Sequence, residues 1–356
     1  MISRAYSLFE NSIKSPYTKR AYDYALRRFV QYYKLKSFDS ILEIPDKKFQ
    51  IMLEDWLFDL KKTLRLNTIK PFFQAIELFC IVNDKVGINF KKIHKMYPAN
   101  DKTSGKRAWA TKEIQAMLEN TKELRIKLLI NILASTGCRI GAISELTIDD
   151  IVDMPRSCIG IKFYTDTDEE YWGFLNPEAS SLLRSYIEKR KMDGERIDEN
   201  SPLMREKYKM GFAKPKFCTR GALTMVMDRV VKNSNVRGVK KGMRFESMTN
   251  HGFRKRFNTI LKLNKNINPV IVERLMGHRV NLDGSYLDTT RQDVFDEFVK
   301  GMHDLVISDS ERLRLQNEIK DQKIKDLESD KDKRIADLEK KFNNIEKLLE
   351  KANAKS

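Results

Sequence analysis

The chain has 356 residues, with 67 Lys and Arg against 50 Asp and Glu and a formal net charge of +17. That length exceeds one ordinary domain, and the low apolar fraction with no long uncharged run excludes a spanning helix, so two domains plus an appendage are expected, with nucleic acid favoured over an anionic membrane as partner. Cys80, Cys138, Cys158 and Cys218 form no close pair and no metal-ligand spacing, which suggests neither a disulfide framework nor a zinc site, and "MISRAYSLFENSIKS" has no signal-peptide core, so a cytoplasmic protein is expected.

Residues 1–100 read as a small helical bundle. Apolar stripes recur at helical spacing: Tyr22, Leu26, Phe29 and Tyr33; Ile51, Leu53, Trp56 and Leu57; Ile69, Phe72, Ile76 and Phe79. The stretch "YPANDKTSGKRAWAT" is rich in turn formers and lysine and marks a linker at residues 101–110. A second domain, residues 111–308, opens with Thr111 as the expected N-cap of "KEIQAMLEN". The next stretch, "ELRIKLLINILAS", suits a buried helix that Gly137 terminates. Arg139 follows in "STGCRIGAIS", where an arginine is either a structural tether or a fixed cation awaiting an anion. "SCIGIKFYT", "DTDEE" and "YWGFL" predict a hairpin over residues 157–175. Asn176, Pro177 and Glu178 then open a helix, and Asn268 and Pro269 open another that stops at Gly277.

Two histidines stand in telling settings. In "TNHGFRKRFNTIL", Asn250 is the expected cap, which places His251 and Arg254 on one face of a first turn while Phe253, Phe257 and Ile260 supply a buried stripe. A helix N-terminus carrying a histidine and an arginine suits a phosphate. In "VIVERLMGHRVNLDGSYLD", His278 follows a helix-ending glycine and Tyr286 lies in the polar turn beyond it. Each feature alone has an ordinary structural reading as a cap, a loop residue or a solvated basic face.

From Asp309 onward the chain becomes a charged helix with 13 Lys and Arg against 12 Asp and Glu, so the first 308 residues hold the basic excess, 54 against 38. Its apolar positions recur eleven apart at Leu313, Ile324 and Ile335 and at Leu327, Leu338 and Leu349, ending heptad-like through Phe342 and Ile345. A coiled coil over residues 309–356 is expected ahead of a single solvated helix.

Taken in order, "TGCR", "HGFR", "LMGH" and a loop tyrosine resemble the catalytic domain of the tyrosine recombinases, or phage-type integrases. "SPYTKRAYDYALRRF" and "NTIKPFFQAIELF" resemble that family's core-binding domain, and "EEYWGFLNPEAS", "SPLMR" and "SYL" are similar to archaeal and archaeal-virus integrases. The resemblance implies a mainly α fold: a helical core-binding domain, then a mixed α catalytic domain with a small hairpin sheet. It implies Arg139 and Arg254 as the catalytic arginines, His251 and His278 as the active-site histidines, and Tyr286 as the nucleophile. Two arginine forks can bind the non-bridging phosphate oxygens without a metal, and a phosphotyrosine stores the broken bond without ATP. The sequence departs from the family at Ala142, where an acidic residue is usual, and in the acidic turn "DTDEE", where a lysine is usual; Lys162 is the nearest substitute. Lys102, Lys106 and Arg107 of the linker, with Lys255 and Arg256, are expected to contact DNA. The implied partners are double-stranded DNA with specific attachment sites and further copies of the chain, a tetramer in synapsis, with no cofactor, membrane or small-molecule substrate. Three alternatives remain: an inactive DNA-binding clamp, a type IB topoisomerase-like enzyme that needs no second site, and a scaffold driven by the carboxy-terminal coil.

Overall fold

The computed structural model describes residues 3–99, 107–207, 215–241, 244–278 and 289–353. The chain divides into two compact units, Met1–Thr103 and Ser104–Ser356.

The first unit is helical: α1 (Arg4–Asn11), α2 (Pro16–Tyr32), α3 (Ser40–Glu43), α4 (Asp46–Thr63), α5 (Leu66–Val82) and α6 (Phe90–Lys95). Hydroxyl and amide caps set the starts of three of them. Ser3 accepts from the Tyr6 N–H, Ser15 from Thr18 with Pro16 in the first helical turn, and Asn89 from Lys92. The core is aromatic, with Trp56 edge-on to Phe29 at 5.1 Å between ring centres and against Phe73 at 5.3 Å. Ile51, expected in the buried stripe, is 58% exposed. The seam of α4 runs instead through Phe49, Leu53, Trp56, Leu57 and Leu60, a face that Ile51 does not share.

The second unit contains α7 (Thr111–Glu119), α8 (Leu124–Thr136), α9 (Ile140–Ile143), β1 (Ile151–Met154), β2 (Cys158–Phe163), β3 (Tyr171–Leu175), α10 (Pro177–Met192), α11 (Arg220–Asn233), β4 (Lys240–Lys241), β5 (Arg244–Phe245), α12 (Thr249–Leu263), α13 (Pro269–Leu275), α14 (Arg291–Leu305) and α15 (Asp309–Asn353). The expected hairpin is the second half of a three-stranded antiparallel sheet, ordered β1-β2-β3, with Lys162 opposite Trp172 and Ile159 opposite Leu175. At four residues, β1 is too short for alternation to announce it.

The sheet is buried on both faces. Ile159, Ile161, Phe163 and Leu175 join the core built on α8 and α10, while Cys158 and Phe174 join a second core with α13 and α14. Asn176 caps α10 by accepting from Ala179, and Asn268 caps α13 by accepting from Val270. Thr111 is the first residue of α7 and not its cap; the Glu113 carboxylate accepts the Ala110 N–H there, and the Thr111 hydroxyl accepts from Arg256.

The last helix, α15, is continuous from Asp309 to Asn353. Its root is fixed: Leu315 is buried, and the Glu178 carboxylate accepts the N–H groups of Ile307 and Ser308. Around and beyond this root, Leu313, Ile324, Leu327, Ile335 and Leu338 are exposed. Among the described residues, no helix is long and apolar enough to cross a membrane.

Candidate active site

Helix α8 is apolar on nearly all sides and is buried through its last two turns. It ends at Gly137, whose φ of +59° is the left-handed conformation that closes a helix C-terminus. A Cβ there would also lie 2.7 Å from the Phe257 side chain. The chain reverses at this point and delivers Arg139, exposed, as the N-cap residue of α9. Helix α13 ends the same way, with Gly277 at φ +59° and its missing Cβ facing the Tyr171 ring, and delivers His278.

Arg254, on α12, joins these two ends. Its side chain is buried, and it donates through Nη1 to the Gly137 carbonyl at 2.9 Å and through Nη2 to the Met276 carbonyl and to His278 Nε2 at 2.7 Å. A guanidinium suits the place, because terminal helix carbonyls lack intrahelical donors and the helix dipole favours a cation there. Burial, and then Arg139 nearby, pushes the Arg254 pKa down. The tether and the fixed cation are one arrangement: the tether is Arg254, and it sets Arg139 and His278 beside each other.

The network assigns the His278 tautomer. An arginine can only donate, so Nε2 accepts from Arg254, and Nδ1 carries the proton and donates to the Glu273 carboxylate. Glu273 also pairs with Lys262 of α12. Burial raises the Glu273 pKa, but the hydrogen bonds from Lys262 and His278 outweigh it and hold the carboxyl below its usual range.

His251 sits in the first turn of α12 but is exposed, whereas Arg254 turns inward. The ring is still partly shielded from solvent, which lowers the His251 pKa, and Lys255, Arg254 and Arg139 lower it further, so the ring stays neutral below the ordinary histidine range. The helix begins at Thr249, with Met248 and not Asn250 as its cap residue. Trp109 sets that start by donating from Nε1 to the Thr249 carbonyl at 2.8 Å, and Gly252 admits the indole, since a Cβ would lie 2.5 Å from Nε1. The Thr249 hydroxyl donates to Asp228, and Arg237 donates to both.

Arg139 lines two hollows of about 800 and 760 Å³. Arg254 and His251 line the second, and His278 the first, with Arg274 and Arg291 adding positive charge and Asp168, Glu169 and Glu170 of the hairpin turn adding negative charge. Arg139, His251, Arg254 and His278 therefore share one region. Lys162 lies at its edge, bound to Glu170 at 3.0 Å; that hydrogen bond raises the lysine pKa. Tyr286, Lys102 and Lys106 lie outside the described residues.

Three other tyrosines could serve as a nucleophile by residue type, although none follows the "LMGH" element: Tyr171 is buried with its pKa raised by burial, Tyr164 lines the second hollow, and Tyr208 lies outside the described residues. Ala142 is buried, and Glu145, one turn on, is exposed.

The DNA-contact expectation fails for Arg256. Its side chain is buried, donating to the Asp304 and Leu305 carbonyls and to the Thr111 hydroxyl, and burial lowers its pKa to about 10. It turns inward because Arg256 and Phe257 lie on a face of α12 that packs on α14, a partner that the sequence around "HGFRKRF" does not reveal. Arg107 is bound to Glu113 by two hydrogen bonds, and Lys255 is partly exposed.

Residues 109–283, the span that holds Arg139, His251, Arg254 and His278, match the Phage integrase family. Tyrosine recombinase XerA of Saccharolobus solfataricus is 25% identical over 191 residues, 53% of this chain and 55% of the relative, so the chain spans about half the length of that curated relative. Among solved structures, XerH site-specific recombinase bound to difH substrate in a pre-cleavage complex is similar with a TM-score of 0.53 and 20% identity, over 78% of each chain. The Tn1549 transposon integrase in complex with transposon right end DNA is similar with a TM-score of 0.50 and 18% identity, over 82% of this chain and 98% of the other. These structural likenesses concern the fold, mainly helical with a small three-stranded antiparallel sheet. Residues 109–283 thus form a region that matches the phage integrase family and is similar to the tyrosine recombinases named above.

Proposed function

We propose that the protein is a site-specific DNA recombinase that cuts and rejoins duplex DNA through a 3′-phosphotyrosine on Tyr286. The observation that carries this reading is the convergence of Arg139, His251, Arg254 and His278 on adjoining hollows. Arg139 and Arg254 hold the non-bridging oxygens of the scissile phosphate and stabilise the charge that builds on them. The Tyr286 oxygen attacks phosphorus and gives its proton to neutral His251; the bond to the 5′ oxygen breaks, and that oxygen gains a proton. Attack by a 5′ hydroxyl of a second strand reverses the chemistry and releases the tyrosine.

His278 borders the phosphate, its ring oriented by the Nδ1 donation to the Glu273 carboxylate and by Arg254 at Nε2. Lys162 serves as acid for the leaving 5′ oxygen after exchanging Glu170 for DNA. Lys102, Lys106, Arg107 and Lys255 contact phosphates, as part of a DNA-bound assembly of several copies. The relatives named above include recombinases bound to DNA substrates, which supports duplex DNA as the partner.

A second reading is an inactive clamp. It draws on buried Ala142 and on the acidic turn Asp168, Glu169 and Glu170 at the hollow. To separate the two, supercoiled plasmid carrying the gene and its flanks is incubated with wild-type protein and with Tyr286→Phe, then resolved under denaturing conditions. DNA covalently attached to wild-type protein alone supports the recombinase. Binding without an adduct on sites chosen by selection supports the clamp, and an adduct with relaxation that needs no second site supports a topoisomerase.

A further inference from the structure

We infer that α15 is a docking surface for a second copy of this chain, pairing parallel and in register along the stripe Leu313, Ile324, Leu327, Ile335 and Leu338. All five side chains are exposed, between 42% and 63%. At about 100° per residue they fall within an arc of roughly 80° on one helix. Lys331 lies in the middle of the stripe, a polar seam position of the kind that fixes register at some expense in stability.

The charges beside the stripe identify the occupant. Lys323, Arg334 and Lys341 run along one edge, and Glu328 and Glu339 along the other. Glu328 follows Lys323 by five residues, and Glu339 follows Arg334 by five. The sequence repeats that spacing at Lys341 and Glu346. In a parallel pair the edge before the seam of one helix meets the edge after the seam of the other, five residues on, so every one of these contacts is basic against acidic. In an antiparallel pair each edge meets its own kind: Lys323 meets Lys341, and Asp321 meets Glu339. Duplex DNA fits poorly, because the segment from residue 309 is nearly neutral, with 13 basic and 12 acidic residues. A helix with one basic and one acidic edge is complementary to itself.

The test uses the full chain without DNA, so its result is independent of the catalytic reading. Sedimentation at micromolar concentration is expected to give a dimer. Glu328→Lys with Glu339→Lys should weaken dimerisation by about tenfold or more by placing like charges along both contacts. Mixing that chain with one carrying Lys323→Glu and Arg334→Glu should restore pairing as a heterodimer.

Leu338→Cys should form a disulfide between copies under mild oxidation, since the four native cysteines are buried. In the antiparallel arrangement that sets Leu338 against Ile324, the two introduced thiols lie about 20 Å apart and cannot bridge. A monomer at all concentrations, a dimer indifferent to the charge reversals, or a dimer whose Leu338→Cys form stays uncrosslinked would each overturn the inference.

Discussion

Arg254→Ala should lower the stability of the free protein as well as its chemistry. The side chain satisfies two buried carbonyls at helix ends, Gly137 and Met276, and accounts for the His278 Nε2 contact. Leaving a buried acceptor without a donor costs about 1–3 kcal/mol, so two cost roughly 2–6 kcal/mol. Removing a buried cation whose own pKa is depressed by burial offsets part of this, which leaves about 2–4 kcal/mol. For a unit of this size, each kcal/mol moves the midpoint by about 2–4 °C, so a fall of roughly 4–16 °C is expected in the transition of the second unit. Arg254→Lys keeps the charge but lacks the planar fork that reaches both carbonyls, and should fall between. Thermal unfolding followed by circular dichroism, without DNA, measures this. A wild-type midpoint for Arg254→Ala would refute the view that this side chain closes the two helix ends.

Burial and neighbouring cations lower the His251 pKa below 6.5, so the acid limb of the DNA-cleavage rate should lie below the ordinary histidine range. The same depression makes the unfolded chain take up the proton first, so His251 should contribute a loss of stability as pH falls through that window; a cleavage profile and acid melts of wild type and His251→Gln check both. Glu273→Gln keeps an oxygen that accepts from His278 Nδ1 but removes the charge that pairs with Lys262. It should lower the cleavage rate with little change in DNA affinity, because the His278 ring is held less firmly, and an unchanged rate would limit Glu273 to packing. Glu195→Ala strands Arg190 and Arg205, whose guanidinium groups are buried against that carboxylate, and should destabilise by about 3–5 kcal/mol in denaturant titration.

The site was legible where the chemistry is local. Gly137 and Gly277 mark helix ends by residue type alone, and Arg139 and His278 follow each of them closely. Thr111 and Asn250 misled because a good capping residue loses to its neighbours when tertiary contacts set the helix start, here Glu113 on Ala110 and Trp109 on Thr249. Glu273 was missed because its partner lies across a helix end, in a contact that helical periodicity does not encode. Arg256 shows the opposite failure: a basic residue in a basic run reads as a DNA contact until α14 arrives to cover it. The stripe on α15 was visible as an eleven-residue repeat, but only the structure separates Leu315, which docks at the root, from the stripe that does not.

That separation makes the root a phase-setting joint. Leu315 packs inward, and Ile324, nine residues on, lies about half a turn away around the helix, so the exposed stripe faces away from the domain that carries it. Rotation is thereby converted into valency. Inserting two residues between Leu315 and Ile324 would swing the stripe by about 200° and bring it over its own domain, whereas inserting eleven would return it within about 20° of its present bearing. A ladder of such insertions would turn the stalk into a dial, and intermolecular pairing should rise and fall with the angle and not with the length.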